Sequence, residues 1–472
     1  MFGTFHRDRS CGSKGYVTRR FGQNRSVDAR KVSAISKTPR REVDFVTHLP
    51  ITLRPDPTRV VIKPFVPAEA PPGYVTLGNL RAQRIVDTVL AMDAQTVTAE
   101  LKRVCDGLSA RYNASDRVLM RRFVEVNGVI FAKCSVSDQR ALLIGAYFSE
   151  EYAFEAVALF NPSIVAHPDQ SGLANGATRF VLSLRAVGEG HLSSVSFRTG
   201  IIDAQNAVIV DPPSPLATVS RIEIVRHPAG DDQFVRLTSD ERRDLSEVVL
   251  FPVTPAQRHG IEDVRLVRFS DDDGATGYYG TYTAFSGQEI RQELLATRDF
   301  ISFDLHPLHG SATANKGMAL FPRRIDGHYA MLGRQDHESI WFLQSDDLYR
   351  WDGGQRIITP TFPWEIVQLG NGGSPIELDE GWLVLAHGVG AVRNYSIGAF
   401  LLDKRDPTKV IGRTASPLIR PTSDERFGYV PNIAYSCGAM LHGRTLIMPY
   451  ALADSITTFA TIPIDQLLAA LA

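Results

Sequence analysis

Five times along its length the chain passes from a polar turn, usually carrying Asp or Gly, into a strand of aromatic and aliphatic residues that closes on a polar side chain. The segments are GATRFVLSLRAV from Gly176, DDGATGYYGTYTAF from Asp272, IDGHYAMLGR from Ile325, DEGWLVLAHG from Asp379 and LHGRTLIMPY from Leu441. The last four recur at roughly 50 to 60 residues, a period that suits a four-stranded propeller blade. A unit of this size cannot bury its apolar face alone and must stack on copies of itself. Five copies predict five blades, with residues at the inner strand ends converging on a central funnel. A β-sandwich leaves the five similar units unexplained. The expected fold class is all-β: a five-bladed β-propeller with an N-terminal α-helical extension.

Three zones follow from this reading: a disordered basic arm over 1–45, a strap plus helical extension over 46–140, and the propeller over 141–472. The arm is polar and rich in Arg and Lys, a composition that does not bury a core. Thr58 to Phe65, bracketed by Pro55, Pro57 and Pro64, suits an edge strand or strap. Leu101, Val104, Cys105 and Leu108 then fall at helical spacing, with Asp93 and Ser115 placed as N-caps. Asn127-Gly128 reads as the turn that ends the helical region. A charged insertion, residues 227–243, widens the gap between the first two repeats.

Composition excludes several classes. A formal net charge of −1, with 44% apolar and 22% charged residues, gives no global field toward nucleic acid or membrane. The basic arm lacks the interleaved aromatics of a nucleic-acid-binding module. No run approaches the roughly 18 apolar residues of a membrane span, and no apolar segment follows the basic N-terminus as a secretory signal requires. The expectation is a cytoplasmic protein, with its four cysteines (Cys11, Cys105, Cys134 and Cys437) as free thiols. His306 and His309 lack a third ligand at metal spacing. GEGH at 188–191 has no accompanying GxxxxGK[ST] pattern, and no GxSxG elbow is present.

The most informative segment is Gly260-Ile261-Glu262-Asp263-Val264-Arg265. It is accompanied by FNPSIV from Phe160, SLRAVGEG from Ser183, NKGMALFPRRIDGHYAMLGR from Asn315 and SDDLYRW from Ser345. WEIVQLGNGGSPI from Trp364, LAHGVG from Leu385, YVPNIAYSCGAM from Tyr429 and PYALAD from Pro449 follow in order. From about Phe160 to the C-terminus this set resembles glycoside hydrolase family 130, the β-mannoside phosphorylases and β-mannosidases built on a five-bladed propeller. Some members carry helical N-terminal extensions that take part in oligomer contacts, so the resemblance implies a homo-oligomer through those helices.

The resemblance also implies roles. Asp263 stands where the family's EDPR-like motif has its general acid, with Val264 in place of proline. Inverting glycosidases use two carboxyls, one as acid and one to activate water; a phosphorylase needs only the acid, plus cations to hold its anionic nucleophile. Lys316, Arg334, His387 and Tyr395 match the family's phosphate-binding positions. Lys316 replaces an arginine and loses its bidentate fork, and Gln368 stands where a lysine is common. Three cationic or potentially cationic positions remain, which favours phosphorolysis. Asn161, Arg185, Arg265 and Asp454 match positions that line the sugar site. Arg265 also suits a structural tie between blades, and Trp364 and Tyr429 are candidates to stack on sugar faces. For Asp263 to act it must hold a proton near neutral pH, which burial against apolar neighbours would favour. The expected activity is inverting phosphorolysis of β-linked manno-oligosaccharides to α-mannose 1-phosphate, with inorganic phosphate as co-substrate and no cofactor or metal. The alternatives are a β-mannosidase using Glu338, Glu365 or another glutamate as base, and an inactive carbohydrate-binding propeller.

Overall fold

The computed structural model describes residues 43–471 apart from 66, 69–80, 110–111, 113–114, 131–135, 227–232, 240–241, 243, 423–424 and 426–427. Most of the basic arm, Cys11 and Cys134, and part of the 227–243 insertion therefore lie outside the described residues.

Each repeat segment becomes the second strand of an antiparallel meander. Thr178–Val187 lies between Ala158–Ala166 and Ser193–Ile202, and Thr276–Phe285 between Gly260–Ser270 and Ile290–Thr297. Tyr329–Gly333 lies between Ala319–Leu320 and Ile340–Ser345, and Trp382–Gly390 between Gln368–Asn371 and Asn394–Leu402. Thr445–Leu452 pairs with Ala434–Tyr435 and Ile456–Pro463. These strands are rich in β-branched and aromatic residues, which fit a pleated surface packed on its faces. The first two meanders join through Gly260↔Ser193 into one sheet.

The packing between meanders is cyclic. Val181 and Phe197 of the first share a core with Ile261 and Tyr282 of the second. Phe269 and Leu294 of the second pack with Met331 and Leu343 of the third. Phe321 and Phe342 meet Trp382 and Phe400 of the fourth, and Leu383 and Ile397 meet Met448 and Ile462 of the fifth. Finally Ile447 and Phe459 of the fifth pack against Phe180 and Leu182 of the first. The outer strand of the fifth meander comes from the other end of the chain: Thr47–Leu53 pairs with Ile456–Pro463, Thr47 opposite Thr461. Sequence reasoning assigned no strand there. The anticipated strap is present as Val60–Pro64, paired with Ser149–Ala153.

Among the described residues, four helices follow the strap in the sequence: α1 (Arg81–Ala91), α2 (Ala94–Ser109), α3 (Ser115–Ile130) and α4 (Asp138–Tyr147). Asp93 caps α2, accepting from the Thr96 amide at 2.8 Å, and Ser115 is the first residue of α3. The turn expected at Asn127-Gly128 does not form; α3 runs through it. The reason is tertiary. Gly145 of α4 lies so close to α3 that an added Cβ would meet the Leu119 carbonyl oxygen at 2.0 Å, and burial of Val126 in the shared core overrides the local turn preference. Among the described residues no helix is long and apolar enough to cross a membrane.

Candidate active site

The site is assembled mainly from first and second strands, with Lys316 from the loop before Ala319–Leu320 and Tyr395 from the third strand of the fourth meander. Asn161 and Asp263 lie on the first strands of the first two meanders, each at an irregularity in the ladder: between Phe160 and Ser163, and between Glu262 and Arg265. Both have left-handed backbones, with φ of 49° and 58°, and Asp454, just beyond the fifth repeat strand, has φ 50°. Asn and Asp tolerate this region better than other side-chain-bearing residues. A bulge of this kind re-aims a side chain, and here it turns Asn161 and Asp263 toward each other. The Asn161 amide donates to Asp263 Oδ1 at 2.7 Å.

Around that pair lies a charged cluster. Arg185, near the end of the first repeat strand, donates to Glu262 Oε1 at 2.7 Å, to Asp263 Oδ1 at 3.4 Å and to Ser193 Oγ at 2.9 Å. Its guanidinium rests over the Phe160 ring, 5.0 Å from the centroid. Lys316 Nζ donates to Glu262 Oε2 at 2.5 Å. Arg265, 2% exposed, donates to Tyr435 Oη at 2.8 Å and to the Gly372 carbonyl at 3.2 Å. These partners fit a strut that holds the Asp263 bulge against the loop after Asn371.

The second half is built on His387 and Arg334. Arg334 Nη1 lies 3.2 Å from His387 Nε2. The His387 ring packs on Tyr435 (centroids 4.7 Å apart) and is stacked with Tyr395 at 6.1 Å. Tyr435 thus links Arg265 to His387, so all four expected phosphate-binding residues and the four sugar-lining residues surround Asp263 in one region. Arg334 Nε is shut off from solvent with no hydrogen-bond partner, and among the described residues no carboxylate pairs with this guanidinium. Beside it Asn371 is 1% exposed, with both side-chain polar atoms unpartnered.

The electrostatics correct two expectations. Burial would raise the Asp263 carboxyl, but Arg185, Lys316, Arg265 and the Asn161 hydrogen bond together hold it below the usual carboxylate value. Its neighbours are cations, not the apolar wall expected, and the free site holds it ionised. His387 is driven well below the ordinary imidazole value by burial, then by Arg334 and Arg265. It is neutral at pH 7, and the guanidinium donates to its Nε2. The cationic set is therefore Lys316 and Arg334, with burial pulling Arg334 below the ordinary arginine value.

Asp454 behaves oppositely. Burial, then the negative charge of Asp263, push its carboxyl up to about 7. The sign for stability follows. The folded state holds this proton between about pH 4 and 7 and the unfolded chain does not, so this group's contribution to stability falls as pH rises through that window. Asp454→Asn, which keeps the left-handed backbone accessible, is expected to flatten the decline in Tm between pH 5 and 8; an unchanged slope would place the proton elsewhere.

Sequence reasoning singled out the segment holding Glu262 but not its role, which is to gather Arg185 and Lys316. Tyr435 and Asn371 were also missed, although both lie inside motifs quoted for the family. Trp364 is not a sugar platform: its ring is in the core, touched closely by Gly388 and Gly398. Glu365 is fully buried and its Oε1 accepts from the Thr361 and Phe362 amides and from Arg413, so it ties a loop together and does not face the site.

Gly370 shapes the half of the site built on His387 and Arg334, the positions expected to bind phosphate. A Cβ there would lie 2.6 Å from His387 Cε1 and 3.0 Å from Arg334 Nη1, so Gly370→Ala must displace both side chains. The expected result is a KM for phosphate raised roughly tenfold or more, with the KM for mannoside and the Tm little changed. Unaltered phosphate kinetics would show that Arg334 and His387 are not where the anion sits.

The sequence profile of glycoside hydrolase family 130, described as β-1,4-mannooligosaccharide phosphorylase, matches residues 233–472. A 1,2-β-oligomannan phosphorylase of Thermoanaerobacter sp. is 33% identical over 228 residues, covering 47% of this chain and 75% of the relative. A β-1,2-mannobiose phosphorylase of Listeria innocua is 33% identical over 263 residues, covering 54% and 70%. The solved structure of the Listeria innocua β-1,2-mannobiose phosphorylase in complex with β-1,2-mannobiose aligns at 25% identity with a TM-score of 0.47, over 67% of this chain and 92% of that one. Matched over half its length by the family profile and a third identical to relatives that it largely spans, the chain belongs to glycoside hydrolase family 130.

Proposed function

We propose that the protein is an inverting β-mannoside phosphorylase acting on β-linked manno-oligosaccharides. The observation that carries this reading is Arg334: a half-buried guanidinium whose Nε is shut off from solvent and unpartnered, and with which no carboxylate pairs among the described residues. A partly desolvated cation with an unsatisfied donor is costly, and a phosphate supplies both a charge to pair with it and the acceptors it lacks. The named relatives, which are phosphorylases, support the same conclusion.

In this mechanism Arg334 and Lys316 hold phosphate, with neutral His387 and Tyr395 fixing its orientation. A phosphate oxygen forms a bond to the anomeric carbon on the face opposite the glycosidic oxygen. The bond from the anomeric carbon to the glycosidic oxygen breaks, its electron pair goes to the leaving oxygen, and Asp263 delivers the proton to that oxygen, directly or through a sugar hydroxyl. The products are α-mannose 1-phosphate and a sugar shorter by one unit. Asp263 is ionised in the free site, so it must gain its proton as the complex forms. Phosphate arriving among the cations that hold it down neutralises them and raises its proton affinity. The cyclic packing of five meanders supports the finer reading of the fold as a five-bladed propeller with this site at its centre.

The test is release of mannose and mannose 1-phosphate from β-1,2- and β-1,4-mannobiose with and without inorganic phosphate. Strict phosphate dependence with mannose 1-phosphate as product is expected. Free mannose at equal rates without phosphate would make the protein a hydrolase.

A further inference from the structure

Two exposed rings stand at the edge of the site, and the mechanism above uses neither. Tyr429 is 52% exposed, the most exposed of the described Phe, Tyr and Trp side chains. One side of its ring is covered by His191, stacked at 5.5 Å between centroids and 27° between planes. The two residues come from segments more than two hundred positions apart, so the pair is a tertiary contact.

Both are anchored to the reacting centre. The Tyr429 amide donates to Ser455 Oγ at 2.6 Å and the Val430 amide to the Ala453 carbonyl at 3.0 Å, which fixes the segment beside Asp454. His191 ends the single helical turn Glu189–His191, two residues before Ser193, the acceptor of Arg185 Nε. That turn is held from below by Tyr152, whose hydroxyl donates to the Glu189 carbonyl at 2.7 Å. His191 has φ 61° and its neighbour Gly190 φ 66°. A non-glycine residue held in this region is uncommon, and here it presents the imidazole to Tyr429.

Resting on the β-mannoside reading, we infer that the His191–Tyr429 pair is a stacking platform for the sugar unit beyond the bond that is broken, and so sets acceptor and chain-length preference. A pyranose presents an apolar C–H face that stacks on an aromatic ring, whereas its hydroxyls need polar partners. The inner site, lined by Asn161, Arg185 and Asp263, offers the polar partners, and the rim offers the flat apolar face. His191 fixes the Tyr429 ring in advance, so stacking immobilises no further rotamer.

The test is calorimetric binding of mannose, β-1,2- and β-1,4-mannobiose and the corresponding mannotrioses, without phosphate, to wild-type protein and to Tyr429→Ala, Tyr429→Phe and His191→Ala. Wild type is expected to bind at least one mannobiose tenfold or more tightly than mannose. Tyr429→Ala should remove most of that gain and leave mannose affinity unchanged within twofold. Tyr429→Phe should keep the gain, and His191→Ala should lose part of it. In turnover, Tyr429→Ala should raise the KM for mannoside and not that for phosphate. No gain from mannose to either mannobiose in wild type, or an undiminished gain in Tyr429→Ala, overturns the platform. Equal losses for mannose and mannobiose would overturn it as well, by showing that the substitution disturbs the inner site. Failure of the phosphorylase reading is distinct: the binding pattern would hold while no mannose 1-phosphate appears.

Discussion

Asp263→Asn is expected to lower turnover by about a thousandfold or more, in phosphorolysis and in the reverse synthesis alike, while the protein stays folded. General acids at such positions contribute roughly 10²–10⁴ in rate, and the amide has no proton to give. Several features make this substitution clean. Asn tolerates φ near 58°, where Ala would be strained. Its Oδ1 still accepts from Asn161, and Glu262 continues to hold Arg185 and Lys316. The stability effect has a definite sign. The depressed carboxyl of Asp263 contributes stability above its unfolded value near 3.8, and that contribution is lost as pH falls through the folded value. The variant should therefore show a shallower loss of Tm on acidification. Product release measured with and without phosphate, together with Tm from pH 3 to 7, checks both claims. Activity above about a tenth of wild type would remove Asp263 from the role of acid.

The second large effect concerns Arg334. Arg334→Met removes the charge while retaining much of the side-chain volume. The KM for phosphate is expected to rise by roughly 30- to 100-fold, the loss of charge-assisted hydrogen bonds of about 2–3 kcal/mol, with mannoside binding retained. The ligand-free protein should be as stable as wild type or more so, because the substitution removes a half-buried cation that has no carboxylate partner among the described residues. Wild type should gain Tm on adding phosphate, by linkage, and Arg334→Met should not. A phosphate KM unchanged by the substitution would send the anion site elsewhere and undo the argument from the unpaired guanidinium. Loss of stability without loss of phosphate affinity would make Arg334 a structural residue.

How far the sequence could be read depended on the range of the interactions concerned. The five repeats were visible because each is a local pattern, a turn followed by a strand, and each became the second strand of a meander. Asp93 as a helix cap was visible for the same reason: its partner is three residues away. The Thr47–Leu53 strand was not, since the strand it pairs with, Ile456–Pro463, lies at the other end of the chain. The turn proposed at Asn127-Gly128 failed because α4 packs on α3 and settles the matter from outside the segment. Trp364 and Tyr429 looked alike as aromatic residues in family motifs. One proved to be core and the other rim, a difference of burial that composition does not carry.

The site divides in the same way. Motif order, through the resemblance to the family, determined that Asp263, Asn161, Arg185, Arg265, Asp454, Lys316, Arg334, His387 and Tyr395 belong to one site. The structure places Lys316 with Glu262 and Arg185 beside Asp263, and Arg334 with His387 and Tyr395. What each of them is in protonation state, only the tertiary structure decided. Asp263 is ionised, Asp454 holds its proton to about 7 and His387 is neutral. Those states are set by burial and by charges brought close from distant parts of the chain, and Coulomb interactions depend on distance in space and not on position along the sequence.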